Sequence, residues 1–128
     1  MFWHIVEAVM LRPMQWGVSD CCTAACDAFG RVHGFDPMAD FRGTYRDRAS
    51  AEAVIAGAGG MLALAARIAA QRGFAEITVA VPGALGVGFT GRGDSLLFCP
   101  EPGEWVAKSR RGYAGGFTPE RAWIWEPQ

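Results

Sequence analysis

The chain changes its hydrophobic period once, near residue 74, and that single switch restricts the folds open to it. Before the switch, apolar residues recur every three or four positions; after it, they come in short runs of β-formers broken by Gly or Pro. Phe2, Ile5, Val6, Val9 and Met10 mark a first helix, which Pro13 stops. A second helix runs from about Asp20 to Val32 and ends at Gly34. Ser50 caps a short third helix that fades at Gly57, and residues 61–72 form a fourth, closed by Gly73. Strands are expected at 77–81, 84–89, 95–99 and 105–108, with a closing strand around Trp123 and Trp125. Residues 35–45, with their Asp-Pro and Arg-Gly pairs, read as a loop. Helices first and strands afterwards predict an α+β domain with an antiparallel sheet. A chain of 128 residues, 51% hydrophobic and 20% charged, is expected to form one domain over 1–128 around an ordinary core.

Charge and cysteine usage narrow the setting. A net charge of −1 gives no electrostatic footprint for nucleic acid or an acidic membrane surface. The cluster Lys108, Arg110 and Arg111 reads as a solvated turn. Residues 2–11 are apolar but carry Glu7, with no basic residue before them and no small-residue cleavage site after, so they read as an amphipathic helix rather than a signal peptide. No run is long enough to span a bilayer. Three of the four cysteines, Cys21, Cys22 and Cys26, crowd onto one expected helix, a poor disulfide framework, and free thiols in a reducing cytoplasm are expected.

Ser19-Asp20-Cys21 is the segment with the most chemistry in it. Ser or Asp just before an apolar, Ala-rich stretch signals a helix N-cap, which puts Cys21 in the first turn. Unpaired amides and the helix dipole there favour a thiolate and make the sulfur a better nucleophile. The competing reading is a small buried thiol at the start of a core helix.

Other patterns carry less. Gly86-Val87-Gly88-Phe89-Thr90-Gly91 matches a dinucleotide fingerprint in letters, but the segment leads into another strand instead of a helix. Arg92-Gly93-Asp94 matches an adhesion tripeptide and reads as a hairpin turn. Cys22 and Cys26 with Cys99 and a histidine lack the spacing of a zinc site, so no metal and no cofactor are expected. The five tryptophans are core or docking material, and the sequence does not separate the two.

Trp16-Gly17-Val18-Ser19-Asp20-Cys21, the loop Gly34-Phe35-Asp36-Pro37 and Arg42-Gly43-Thr44-Tyr45 together resemble the phage-tail branch of the NlpC-type papain-like cell-wall peptidases. Gly59-Gly60 and Arg121-Ala122-Trp123 extend the resemblance over almost the whole chain. It implies a papain-like fold, with a cysteine helix packed on a small antiparallel sheet. It also implies a place at the tail tip or baseplate of a tailed bacteriophage or gene transfer agent, and makes Cys21 the counterpart of the nucleophile. Active members carry a Gly-Asp pair and then a histidine opening the next strand. Here the pair reads Gly83-Ala84, and the histidine position falls at Ala84 or near Ser95, depending on register.

The chain has only two histidines, His4 and His33. His33 lies twelve residues along the helix from Cys21, roughly 18 Å at about 1.5 Å per residue. His4 would reach the thiol only if the first helix packed across the mouth of the site. A cysteine without a partner acid cannot protonate a leaving amine, and such help is worth about a hundred- to ten-thousand-fold. The expectation is therefore a virion tail component, made in the bacterial host cytoplasm, that binds other tail or baseplate proteins around residues 105–125 and has a degraded peptidase site. The alternative is a peptidoglycan endopeptidase or amidase that uses Cys21, with His4 as a candidate base. A free-standing binding module and another thiol-dependent enzyme are the remaining readings.

Overall fold

The computed structural model describes residues 1–127. Four helices, α1 (Trp3–Met10), α2 (Cys21–His33), α3 (Arg48–Gly57) and α4 (Met61–Arg72), precede six strands. These are β1 (Ala75–Ile77), β2 (Leu85–Phe89), β3 (Asp94–Phe98), β4 (Val106–Ser109), β5 (Gly112–Gly115) and β6 (Arg121–Ile124). The strands form one antiparallel sheet in the order β1-β6-β2-β3-β4-β5. The α+β class follows from that order of elements. No single helix among the described residues is long and apolar enough to cross a membrane.

Helix α2 is the central element because two of its faces are apolar. Cys22, Ala25, Cys26 and Phe29 pack with Leu64, Ile68, Leu85, Val87 and Leu96. Ala24 and Ala28, on the adjoining face, meet Val6, Val9 and Met10 of α1 together with Phe98 and Val106. Small residues on that side let α1 approach closely. Phe29 and Phe98 are fully buried, and burying a side chain of that kind contributes roughly 1.5–3 kcal/mol.

The far face of the sheet is covered by chain instead of helices. Leu85 and Val87 point into the helix-side core, so the alternation of a strand turns Gly86 and Gly88 outward. A Cβ on Gly86 would lie 2.9 Å from the Trp105 ring, and one on Gly88 would lie 2.9 Å from the Thr118 carbonyl oxygen. The glycine string is therefore a packing surface for Trp105 and the segment 117–119. Trp105 and Trp123 are buried and Tyr113 packs against Trp3, so these rings belong to the packing of the strand half.

Several boundaries differ from the sequence reading for local reasons. The third helix starts at Arg48 because Asp47, not Ser50, is its N-cap; Ser50 supplies the reciprocal bond of a capping box. The expected strand at 77–81 stops at Ile77, where its partner β6 runs out at Arg121, two residues after Pro119, which has no amide to give. Strand β5 was not expected, since Gly112-Tyr113-Ala114-Gly115 has little strand propensity. Its pairing with β4 across the two-residue turn Arg110-Arg111 makes it. Ala39–Phe41 is a short 3-10 turn within the expected loop.

Gly88→Ala is expected to lower stability by about 1–3 kcal/mol through backbone crowding. Gly57→Ala, in a helix with open space around the position, should raise it by about 0.4–1 kcal/mol. Urea midpoints of the two variants against the parent check both signs.

Candidate functional site around Cys21

Asp20 builds the site. Its backbone is extended, with φ −118° and ψ −174°, and its carboxylate is only 1% exposed. Oδ1 accepts from the amides of Cys22 and Thr23, both at 2.9 Å. Oδ2 accepts from the amide of Gly17 at 2.7 Å and from the Tyr45 hydroxyl at 2.8 Å. Thr23 closes a capping box by accepting from the Asp20 amide at 2.7 Å. Four donors on one buried carboxylate hold the approaching loop, the first turn of α2 and the Tyr45 segment together.

Gly17 and Arg42 complete that frame. Gly17 has φ +81°, and a Cβ there would stand 2.6 Å from the Tyr45 carbonyl oxygen, so only glycine fits. Arg42 bridges Asp27 of α2 at 2.6 Å and Asp36 of the following loop at 2.9 Å. Burial opposes its charge, but the two carboxylates outweigh that and hold the guanidinium firmly protonated. The motif residues Trp16-Gly17, Asp20 and Arg42-Gly43-Thr44-Tyr45 thus act as one clamp on the start of α2.

Cys21 is the first residue of that helix and is half-buried. Its Sγ lies 4.0 Å from Cys22 Sγ. A hydrogen bond from the Cys22 thiol lowers the Cys21 pKa most; burial and the Asp20 charge oppose it, and Ser95 and the helix-start amide add to it. Cys22 moves the other way, because its proton is held by Cys21 and its site is dry; it also lies 3.8 Å from Met61 Sδ. Burial raises Cys26 and pushes Cys99 up to about 11. The helix-start amide and the vicinal thiol act in the same direction on Cys21, and the second of these was not read from the sequence.

A cleft of about 760 Å³ opens beside Cys21, between the loop carrying Met14 and Trp16 and the turns of the β2–β3 and β4–β5 hairpins. Ser95, at the start of β3, lines it with Cys21. His4 does not. It is exposed on α1, whose N-terminal end is tied to the other end of β3 by the Phe2 amide on the Pro100 carbonyl and by Phe2 against Phe98. Ser95 and Phe98 are about 10 Å apart along the strand. His33 stacks on Phe29 and donates from Nε2 to the Gly83 carbonyl at 2.8 Å. Ala84 is buried on the sheet face away from the helices.

This frame lies within the span of a family model. Residues 2–123 match the family described as Domain of unknown function (DUF6950). The chain belongs to the DUF6950 family. No curated protein and no solved structure matched it. Cys21, Ser95 and the clamp residues all fall inside the DUF6950 match.

Two features of this DUF6950 domain were misread or missed in the sequence. Lys108 is 7% exposed and donates from Nζ to the Met10 and Arg12 carbonyls at 2.8 and 2.6 Å. It caps the end of α1 instead of solvating a turn, and burial pulls its pKa down. Ser95 beside the thiol was only one of two register choices; the signal that favours it is the Gly93-Asp94 turn opening a strand. Asp20, Cys21 and Cys22 also bring donor atoms within 4.8 Å of one another, but the Asp20 oxygens are already filled by four hydrogens. Cys99 lies in the far-face cluster, away from Cys22 and Cys26, so the residues do not fit a shared metal site.

Iodoacetamide should label Cys21 first among the four thiols, with a rate-against-pH curve whose midpoint lies below the ordinary thiol value near 8.5. Cys22→Ala removes the donor, so the midpoint should move up; an unchanged midpoint would deny the vicinal bond its role. Tyr45→Phe leaves Asp20 short of one donor and should cost about 1.5–3 kcal/mol of stability, read from thermal unfolding.

Proposed function

We propose that this domain has the papain-like arrangement of the NlpC type and serves as a structural component of a phage or gene-transfer-agent tail tip or baseplate, with its hydrolytic chemistry lost. Ser95 beside Cys21 carries this reading. A helix-start cysteine on an antiparallel sheet is half of a papain-like site, and the other half requires an imidazole on the adjacent strand. A serine hydroxyl can hydrogen-bond the sulfur, but with an unperturbed pKa far above neutrality it does not trade protons with it. Lys108, the buried cation in the cleft wall, has its ammonium committed to two carbonyls. The clamp built by Asp20, Arg42 and Tyr45 keeps the helix start rigid whether or not the thiol reacts, which suits a fold retained for assembly.

A lowered thiol pKa on an open cleft favours a second reading, a peptidoglycan cysteine peptidase whose acid comes from a neighbouring protein. The purified protein should release no peptide from peptidoglycan above background, and Cys21→Ala should leave incorporation into particles unchanged. Hydrolysis that disappears in Cys21→Ala would reverse the order of the two readings. Particles that assemble and infect normally without the protein would sink the structural role.

A further inference from the structure

We propose that the cleft beside Cys21 is a docking slot for an extended acidic segment of a partner protein. The proposal rests on the assembly reading above for the kind of partner, and it names the chemistry of what that partner inserts.

The slot exists because two neighbouring strands part company. β3 pairs with β2 along its whole length, from Asp94 to Phe98, but with β4 only at Phe98↔Val106. Toward Ser95 the two strands diverge, and the cleft opens there. Over that stretch β3 has β2 as its paired neighbour on one side and the cleft on the other. Only Asp94 and Ser95 of β3 line the cleft, while Leu96 and Leu97 are buried, so an occupant meets the side chains of the mouth and not a free strand edge. Ser95 Oγ donates to the Leu96 carbonyl at 2.9 Å, a local bond where a neighbouring strand would otherwise supply donors.

Charge selects the occupant. Arg92 comes from the β2–β3 turn and Arg110 and Arg111 from the β4–β5 turn, and all three are exposed at the cleft. Among the described residues none of them forms an ion pair, which is also the case for Arg31, Arg46, Arg67 and Arg72 elsewhere on the chain. Asp94 is the one acidic side chain lining the cleft. What sets these three guanidinium groups apart is their place: in a chain of net charge −1, they gather at one mouth beside a single carboxylate. Guanidinium forks pair with carboxylates in two-bond geometry. A nucleic acid would need a longer track of cations to neutralise successive phosphates, and these three are confined to the ends of two hairpins. Trp16 and Phe117 supply apolar wall between them, which suits a peptide whose acidic side chains alternate with apolar ones.

The test uses the full chain and a short fluorescein-labelled peptide alternating Glu and Val, with an alternating Gln and Val peptide as control. Fluorescence anisotropy should show binding of the Glu peptide, weakened about tenfold or more in R92Q/R110Q/R111Q. Because the slot passes over Cys21, saturating Glu peptide should slow iodoacetamide labelling of that thiol several-fold. These substitutions are on exposed hairpin turns, and near-UV circular dichroism verifies that the fold is kept. Equal binding of the Gln peptide, no loss in the triple variant or no protection of Cys21 would each overturn the proposal. So would tighter binding of a single-stranded oligonucleotide of matched charge. Peptidoglycan hydrolysis by the protein would overturn the function proposed above but not a measured peptide affinity. Absent peptide binding would overturn the slot and leave the peptidoglycan result as it stands.

Discussion

One buried carboxylate organises this domain. Asp20 is 1% exposed and accepts four hydrogen bonds, from Gly17, Cys22, Thr23 and Tyr45. Burying an ionised group is costly unless its lone pairs are filled, so the carboxylate dictates where three separate stretches of chain must lie. The loop before α2, the first turn of α2 and the segment at Tyr45 can supply their donors only in one mutual arrangement. Arg42 extends the same logic on the other side of the helix, through Asp27 and Asp36. The position of Cys21 is a by-product of that frame.

The frame also sets the surroundings of the Cys21 thiol. The first turn points its amide and the vicinal Cys22 thiol at the Cys21 sulfur, which favours the thiolate. Asp20 works against it, being the nearest negative charge. What the sheet brings to the sulfur is Ser95, a hydrogen-bonding group without a proton to exchange near neutrality. The splay between β3 and β4 gives the same spot an open cleft, and the arginines of two hairpin turns give it a sign of charge.

Some residues that look functional in sequence are structural for definite reasons. Gly86 and Gly88 are bare because Trp105, Thr118 and Pro119 press on them, not because a phosphate must approach. Arg92-Gly93-Asp94 is a hairpin turn, in which the Thr90 amide donates to the Gly93 carbonyl at 3.0 Å. Lys108 appears in the sequence as one of three exposed cations, yet it is buried as a cap on α1. The difference is that Lys108 lies within β4 against the end of α1, whereas Arg110 lies past the strand, in the turn. Neither is visible in a charge pattern.

Local chemistry settled much of this protein in advance. The second and fourth helices end at Gly34 and Gly73, both left-handed, where only the backbone freedom of glycine is required. Asp20 before Cys21 fixes a helix start by a bond between neighbours in sequence, and the helix-then-strand order fixes an α+β class. Those signals act over a few residues, so they are written in the sequence itself. Tertiary structure decided the rest, because it concerns which distant segments meet. β5 exists only because β4 offers it an edge, Trp105 is core only because Gly86 leaves room, and Ser95 rather than Ala84 stands beside Cys21 because the strands pair in one register. Register is set by packing summed over the whole sheet, and no single segment carries that information.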